Sequence, residues 1–298
     1  MPKTPSKLNK PRLLAILAGA LIATAGAIVP ATAASAAITV PFAVPSATTT
    51  GVPAGKVLKV HNGNMVIRTA NTVLDGWEIR GTLRIDAPGA VIKNSKITGG
   101  SNPGNAGIVQ NLASGAKFTI MDSEIYAATP SSTADGIFGS NFTALRVNIH
   151  HVIDPIRVVS SNVRIQDSWL HNNLHYTSDP AHGGGPSHDD SIMIQGGSNI
   201  VVTGNRLEHS HNAAIQIVQD RTRPQVNGVT VSKNYLDGGG CTVNVAAGYF
   251  PGINITGNVF GPHRQYVHCP VIAGNNPTPA MSANVWYLTG TTVPMVRR

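Results

Sequence analysis

A short strand-like phrase returns along most of this chain: two or three apolar residues, a small polar pair, then one or two more apolar residues. It reads VLDGWEI at 73–79, VIKNSKI at 91–97, FTIMDSEI at 118–125, ALRVNI at 144–149 and VRIQDSWL at 163–170. It continues as VVTGNRL at 201–207, VTVSKNYL at 229–236, INITGNVF at 253–260 and MSANVW at 281–286. Alignment puts Trp77, Ser95, Ser123, Val147, Ser168, Asn205, Asn234, Asn258 and Asn284 at one equivalent position. Strand phrases returning every twenty to thirty residues, with variable insertions, specify a β-solenoid. The stacked asparagines read as a structural ladder, each amide bonding to the neighbouring coil, and not as a binding site.

A second phrase precedes most copies of the first: GIVQ at 107–110, DGIF at 135–138, DPIRV at 154–158, DSIMI at 190–194, AAIQI at 213–217, CTVNV at 241–245 and CPVIA at 269–273. Placing Ile137, Ile156, Ile192, Ile215, Val243 and Val271 in one inward column brings Cys241 and Cys269 to the same place on consecutive turns. Parallel strands stack about 4.8 Å apart, within reach of a disulfide, so a Cys241–Cys269 bond is expected.

The first 36 residues stand apart. Lys3, Lys7, Lys10 and Arg12 precede the apolar run LLAILAGALIATAGAIV, and Ala34-Ser35-Ala36 closes it. This is the pattern of a secretory signal peptide cut after Ala36, which implies an extracellular location with no membrane attachment afterwards. Loss of those four basic residues lowers the formal charge from +8 to +4. With no Lys/Arg block remaining, nucleic acid is a poor partner. Residues 37–56 are a Pro-, Thr- and Ala-rich leader running into the N-terminal end of the coil. Residues 57–298 are expected to form one all-β solenoid of about nine coils of parallel strands, its first turn (57–72) helping to cap it and the whole acting as a monomer.

Chemistry concentrates in the middle coils. The position held by the two cysteines is occupied by Asp135, Asp154 and Asp190 on three earlier coils, and Asp189 lies beside the last. Like charges one coil apart resist joint ionisation, which suits a proton donor beside a base, or a calcium ion held by Asp135, Asp154 and Asp190. Strict alternation aims Asp190 the same way as Ile192, so a bend is expected between them. Eight of the eleven histidines fall between 150 and 211: His150, His151, His171, His175, His182, His188, His209 and His211. They lack the compact spacing of a dedicated zinc site. The strand ends holding His150 and His171, with His209, are expected to border the same groove as the aspartates, together with Gln216. Residues 172–187 (NNLHYTSDPAHGGGPS) are a polar, Gly-rich excursion ending at His188-Asp189-Asp190. Such loops on rigid scaffolds commonly carry substrate contacts. His188 and His211 are candidate proton-transfer groups, and Arg157 is a candidate partner for a substrate carboxylate.

With its coils, stacked Asn and Asp–Asp strand start, the chain over 57–288 resembles secreted right-handed parallel β-helix proteins of the pectate-lyase-like superfamily. That resemblance implies a single-stranded right-handed parallel β-helix with a polysaccharide substrate bound along one face. DPIRVVSSNVRI, HDDSIMIQGGSNIVV and SHNAAIQI follow the motif order of polygalacturonase-type glycoside hydrolases, whose catalytic carboxylates fall on Asp154, Asp189 and Asp190. The chain departs from that pattern in having Ala213 where the family has histidine, with His211 two residues early, and in lacking an Arg–x–Lys clamp after Thr230. The arginine-centred motif of pectate lyases is also missing. Three functions follow as expectations: a lyase acting on a uronic-acid polymer through histidine or Arg157, an aspartate-based hydrolase, or a non-catalytic carbohydrate-binding or cell-surface solenoid. No cofactor is required by these readings, calcium being the one candidate.

Overall fold

The computed structural model describes residues 37–99 and 107–298. The expected signal peptide lies outside the described residues. The strands form three parallel sheets of ten, ten and nine members, and successive strands of the chain visit the three sheets in turn. This is a parallel β-helix. Its first coil already begins at Lys59–Asn62 and Met65–Ile67, which pair with Trp77–Arg80 and Leu83–Ile85 of the next, so residues 57–72 contain a true coil as well as an end.

The register follows the repeat. Ile137, Ile156, Ile192, Ile215, Val243 and Val271 are successive partners in the second sheet. In the first sheet Ile79, Ile97, Ile125, Ile149, Leu170, Leu207, Leu236 and Phe260 do the same. These side chains are buried in one continuous core. Each fully buried aliphatic side chain contributes about 1.5–3 kcal/mol, and β-branched residues suit the pleated surface. Cys241 and Cys269 are disulfide-bonded with Cα atoms 4.7 Å apart, one coil spacing.

The corner between third and first sheets carries the aligned polar position. Ser168 N–H donates to Asn205 Oδ1 at 3.0 Å, Asn205 to Asn234 at 2.9 Å, Asn234 to Asn258 at 3.0 Å and Asn258 to Asn284 at 3.1 Å. Each of these Asn amides also donates to a carbonyl in an earlier coil, such as Asn205 Nδ2 to Ile165 O. The chain turns through a left-handed residue just before each rung, with φ between 49° and 74° at Gly76, Asn94, Asp122, Arg146, Asp167, Gly204, Lys233, Gly257 and Ala283. That conformation explains the Asn, Asp and Gly in the small polar pair of the repeat.

Residues 37–56 do not simply lead into the first coil. Ile38 N–H donates to Tyr287 O in the last coil, Gly51 N–H to Arg146 O in the middle, and Lys56 pairs with Asp75 in the first. The segment is therefore a strap along the stack. It crosses the outer face of the first sheet, where Val40 and Val44 line a recess with Arg206, Tyr235 and Tyr287. Gly51, at φ +80°, sits where an added Cβ would come within 3.1 Å of the Asn148 side chain.

Candidate functional site

The three aligned aspartates begin or precede successive strands of the second sheet: Asp135–Gly139, Ile156–Val158 and Asp190–Ile194. All are buried, Asp154 and Asp190 completely and Asp135 to within 3%. Arg157, on the outer side of the same sheet, binds two of them. Its Nη2 reaches Asp154 Oδ2 at 2.8 Å and its Nε lies 3.3 Å from Asp135 Oδ2. A guanidinium thus fills the space between Asp135 and Asp154, where the sequence reading placed a calcium ion. The carboxylates here neutralise an arginine already present.

Asp154 Oδ1 accepts the Asp190 N–H at 2.9 Å, and Asp190 Oδ1 accepts from Asn212 Nδ2 at 2.8 Å. Asp190 Oδ2 is buried with no partner among the described residues. Burial, then the Asp154 charge, push the Asp190 carboxyl well above the usual carboxylate range. The bend expected between Asp190 and Ile192 is not seen. The strand runs unbroken with Asp190 paired to Ala213 and Ile192 to Ile215, and the Asn212 amide satisfies one oxygen of the inward carboxyl. Asp135 is pushed up to about 7 by burial and by Asp154, against the pull of Arg157. Asp154 is also raised by burial, with Arg157 opposing.

Asp189 turns away from this trio. Its Oδ1 lies 2.7 Å from His175 Nδ1 and its Oδ2 accepts the His211 N–H at 2.6 Å. The two imidazoles stack with centroids 3.7 Å apart. Burial raises Asp189 to about 6 despite both bonds. Burial, then the nearby His175, lower His211.

The 172–187 excursion folds back on itself. Tyr176 N–H donates to Ser187 Oγ and Ser187 N–H returns a bond to Tyr176 O, while Asp179 caps a short turn at Pro180–His182. This roofs a cleft of about 290 Å³ lined by Asp135, Arg157, Asp179, His182, His188, Met193 and Gln195 among others. His182 and His188 stack in its wall at 4.1 Å. Burial and His182 lower the His188 pKa, leaving a neutral ring at neutral pH.

Other sequence candidates lie elsewhere. His150 and His171 sit on the first sheet, stacked in a row with Tyr126 and Trp169. His150 is bound to Glu124 and His171 to Asn148. Burial drives His171 down to about 3. The cleft lining includes neither of them, nor His209, which has a left-handed backbone (φ 64°). The single groove expected from the columns is thus divided by the corner between the sheets. Gln216 follows Met193 on the outer row of the second sheet, one coil beyond the cleft. Sequence reasoning gave no site role to His175, His182 or Asn212. The position of the excursion was the only signal for the first two.

The fold and site define a parallel β-helix with a roofed, charge-lined cleft on one sheet and a buried carboxylate cluster beneath it. No protein-family model matches the chain, and no curated protein matches it. Two solved structures are similar at low identity. One is the Dettilon tailspike protein gp208, at 13% identity and TM-score 0.39, covering 76% of this chain and 54% of that one. The other is the Streptococcus pneumoniae surface protein and adhesin PfbA, at 11% identity and TM-score 0.39, covering 89% and 84%. The chain spans about half the length of the tailspike chain. Neither likeness bears on the residues of the site.

Proposed function

We propose that this is a secreted, monomeric polysaccharide lyase that cleaves a uronic-acid polymer by β-elimination in the cleft under the 172–187 excursion. One observation carries the reading: Arg157 and His188 line the same cleft, with Asp135 between coils beside Arg157. The Arg157 side chain is 24% exposed, enough to meet a substrate carboxylate while its inner edge stays on Asp154. Neutralising that carboxylate favours loss of the adjacent C5 proton, because charge develops there in the transition state. The His188 imidazole takes the proton, the C5–H electrons form the C4–C5 double bond, and the C4–O bond breaks. The departing oxygen takes a proton from Asp135, which burial keeps partly protonated near neutrality.

The hydrolase reading is weaker on geometry. It needs Asp190 as acid and Asp154 or Asp189 as base against a glycosidic bond, and none of these three lines the cleft, whereas Asp135 does. The disulfide fits the oxidising compartment that secretion implies.

The test is incubation with a panel of acidic polysaccharides, reading the ultraviolet absorbance of unsaturated uronates. The expected result is absorbance that grows with time and falls at least a hundredfold in rate for His188→Ala. New reducing ends without absorbance would replace the lyase with a hydrolase. Binding with neither signal would leave a non-catalytic solenoid.

A further inference from the structure

Five buried aspartates lie in the middle coils: Asp135, Asp154, Asp179, Asp189 and Asp190. Asp135 and Asp154 share Arg157, Asp179 accepts the Ala181 N–H, and one oxygen of Asp190 accepts from Asn212. Asp189, also fully buried, has no guanidinium or side-chain amide; it is bonded by the His175 imidazole and the His211 backbone N–H, and a ring nitrogen of His211 lies within 4.8 Å.

From this we infer that His175, Asp189 and His211 form a zinc site. One ligating atom from each residue lies within 4.8 Å of the others. They come from three separate places: the 172–187 excursion, the residue before the strand Asp190–Ile194, and the turn before Ala213–Ile217. The sequence spacing of 14 and 22 residues hides the set, which exists only once the excursion has folded back.

The donors select the metal. Two imidazole nitrogens and one carboxylate oxygen suit zinc and its transition-metal neighbours, whereas calcium and magnesium require mostly oxygen. Zinc bonds of 2.0–2.2 Å in a tetrahedron put ligand atoms about 3.3 Å apart. Asp189 Oδ1 and His175 Nδ1 are 2.7 Å apart and the two rings are stacked, so metal binding requires the imidazoles to rotate out of the stack until their nitrogens converge. The other Asp189 oxygen is held by the His211 N–H, an outer-shell bond of the kind that fixes a ligating carboxylate. His211 is exposed and the His175 side chain is 25% exposed, which supplies an entry path and a fourth position open to water.

The site makes no demand on the cleft chemistry and is tested without it. Untagged protein is dialysed against zinc(II), and bound metal is counted by elemental analysis and titration calorimetry. One zinc per chain is expected, with affinity reduced at least tenfold in His175→Ala and in His211→Ala. His150→Ala, which alters the other histidine cluster, should leave affinity unchanged. X-ray absorption of the zinc form should show two imidazoles, and excess calcium should not displace the metal. His211→Ala truncates an exposed ring, so it reports even if Asp189→Asn fails to fold. Failure to retain zinc, full affinity in both histidine variants, or loss of the metal to calcium would each overturn the assignment and leave His175–Asp189 as a hydrogen-bonded pair.

Discussion

The side chain of Asp154 accepts the main-chain N–H of Asp190 at 2.9 Å, so a carboxylate on one coil takes the place of a strand carbonyl for the next. Its other oxygen is bound by Arg157. The carboxylate cluster is therefore part of the sheet's hydrogen bonding as well as of the cleft wall.

Removing the cation should expose what it compensates. Arg157→Ala leaves Asp135 and Asp154 buried without a counter-charge, a change that typically costs about 3–5 kcal/mol. Denaturant unfolding at pH 8 should show a loss of that order. At pH 4, well below the Asp135 value of about 7, the loss should be smaller. Equal losses at both pH values would mean that the guanidinium does not serve the carboxylates.

The pH dependence of the parent protein follows from the same group. Asp135 has a folded pKa of about 7, above the ordinary carboxylate value, so the folded state binds its proton more tightly than the unfolded state. Its contribution to stability is fully present below pH ~4 and is lost as pH rises through about 7. Asp189 and Asp190 are shifted the same way. The melting temperature should accordingly fall between pH 5 and pH 8. Asp135→Asn should flatten part of that slope and be more stable than the parent at pH 8.

The corner ladder has a gap that can be filled. Val147 stands at the rung between Ser123 and Ser168 and offers no acceptor to the Ser123 N–H, although its own N–H donates to Ser168 Oγ at 3.1 Å. Val147→Ser should supply the missing acceptor and bond the carbonyl two residues back, as Ser123 and Ser168 do. A gain of about 1 kcal/mol in denaturant unfolding is expected from one buried hydrogen bond, net of lost apolar burial. A loss above 1 kcal/mol would show that packing governs this rung.

The single disulfide closes a loop of 28 residues. A loop of that size is worth about 3 kcal/mol through restriction of the unfolded chain. Cys241→Ala/Cys269→Ala should unfold at correspondingly lower denaturant while keeping its circular dichroism, since neighbouring Val243 and Val271 remain paired.

The parts of this molecule that repeat could be read from the chain, because register carries position from coil to coil. The Cys241–Cys269 bond, the Asn205–Asn284 ladder and the Ile137–Val271 column all follow from counting residues between equivalent phrases. Asp190 was harder, since alternation gave its direction correctly while its raised pKa depends on burial and on Asp154 from a neighbouring turn. His175 could not be placed at all. It rides on an excursion whose path is set by non-repeating bonds between Tyr176, Ser187, Asp179 and Gly185. The strap escaped for the same reason, as nothing periodic announces that Ile38 meets Tyr287.

That strap has a consequence for assembly. A coil stack can in principle grow from its first turn as the chain emerges, each new rung settling on the last. Here residues that emerge early find their seat at Tyr287, among the last to arrive. Ile38 has no seat until Tyr287, some 250 residues further along the chain, is in place. The two ends of an otherwise neighbour-to-neighbour structure are thereby joined, so loosening of the final coil is felt at Arg146 and at Asp75 through one continuous backbone.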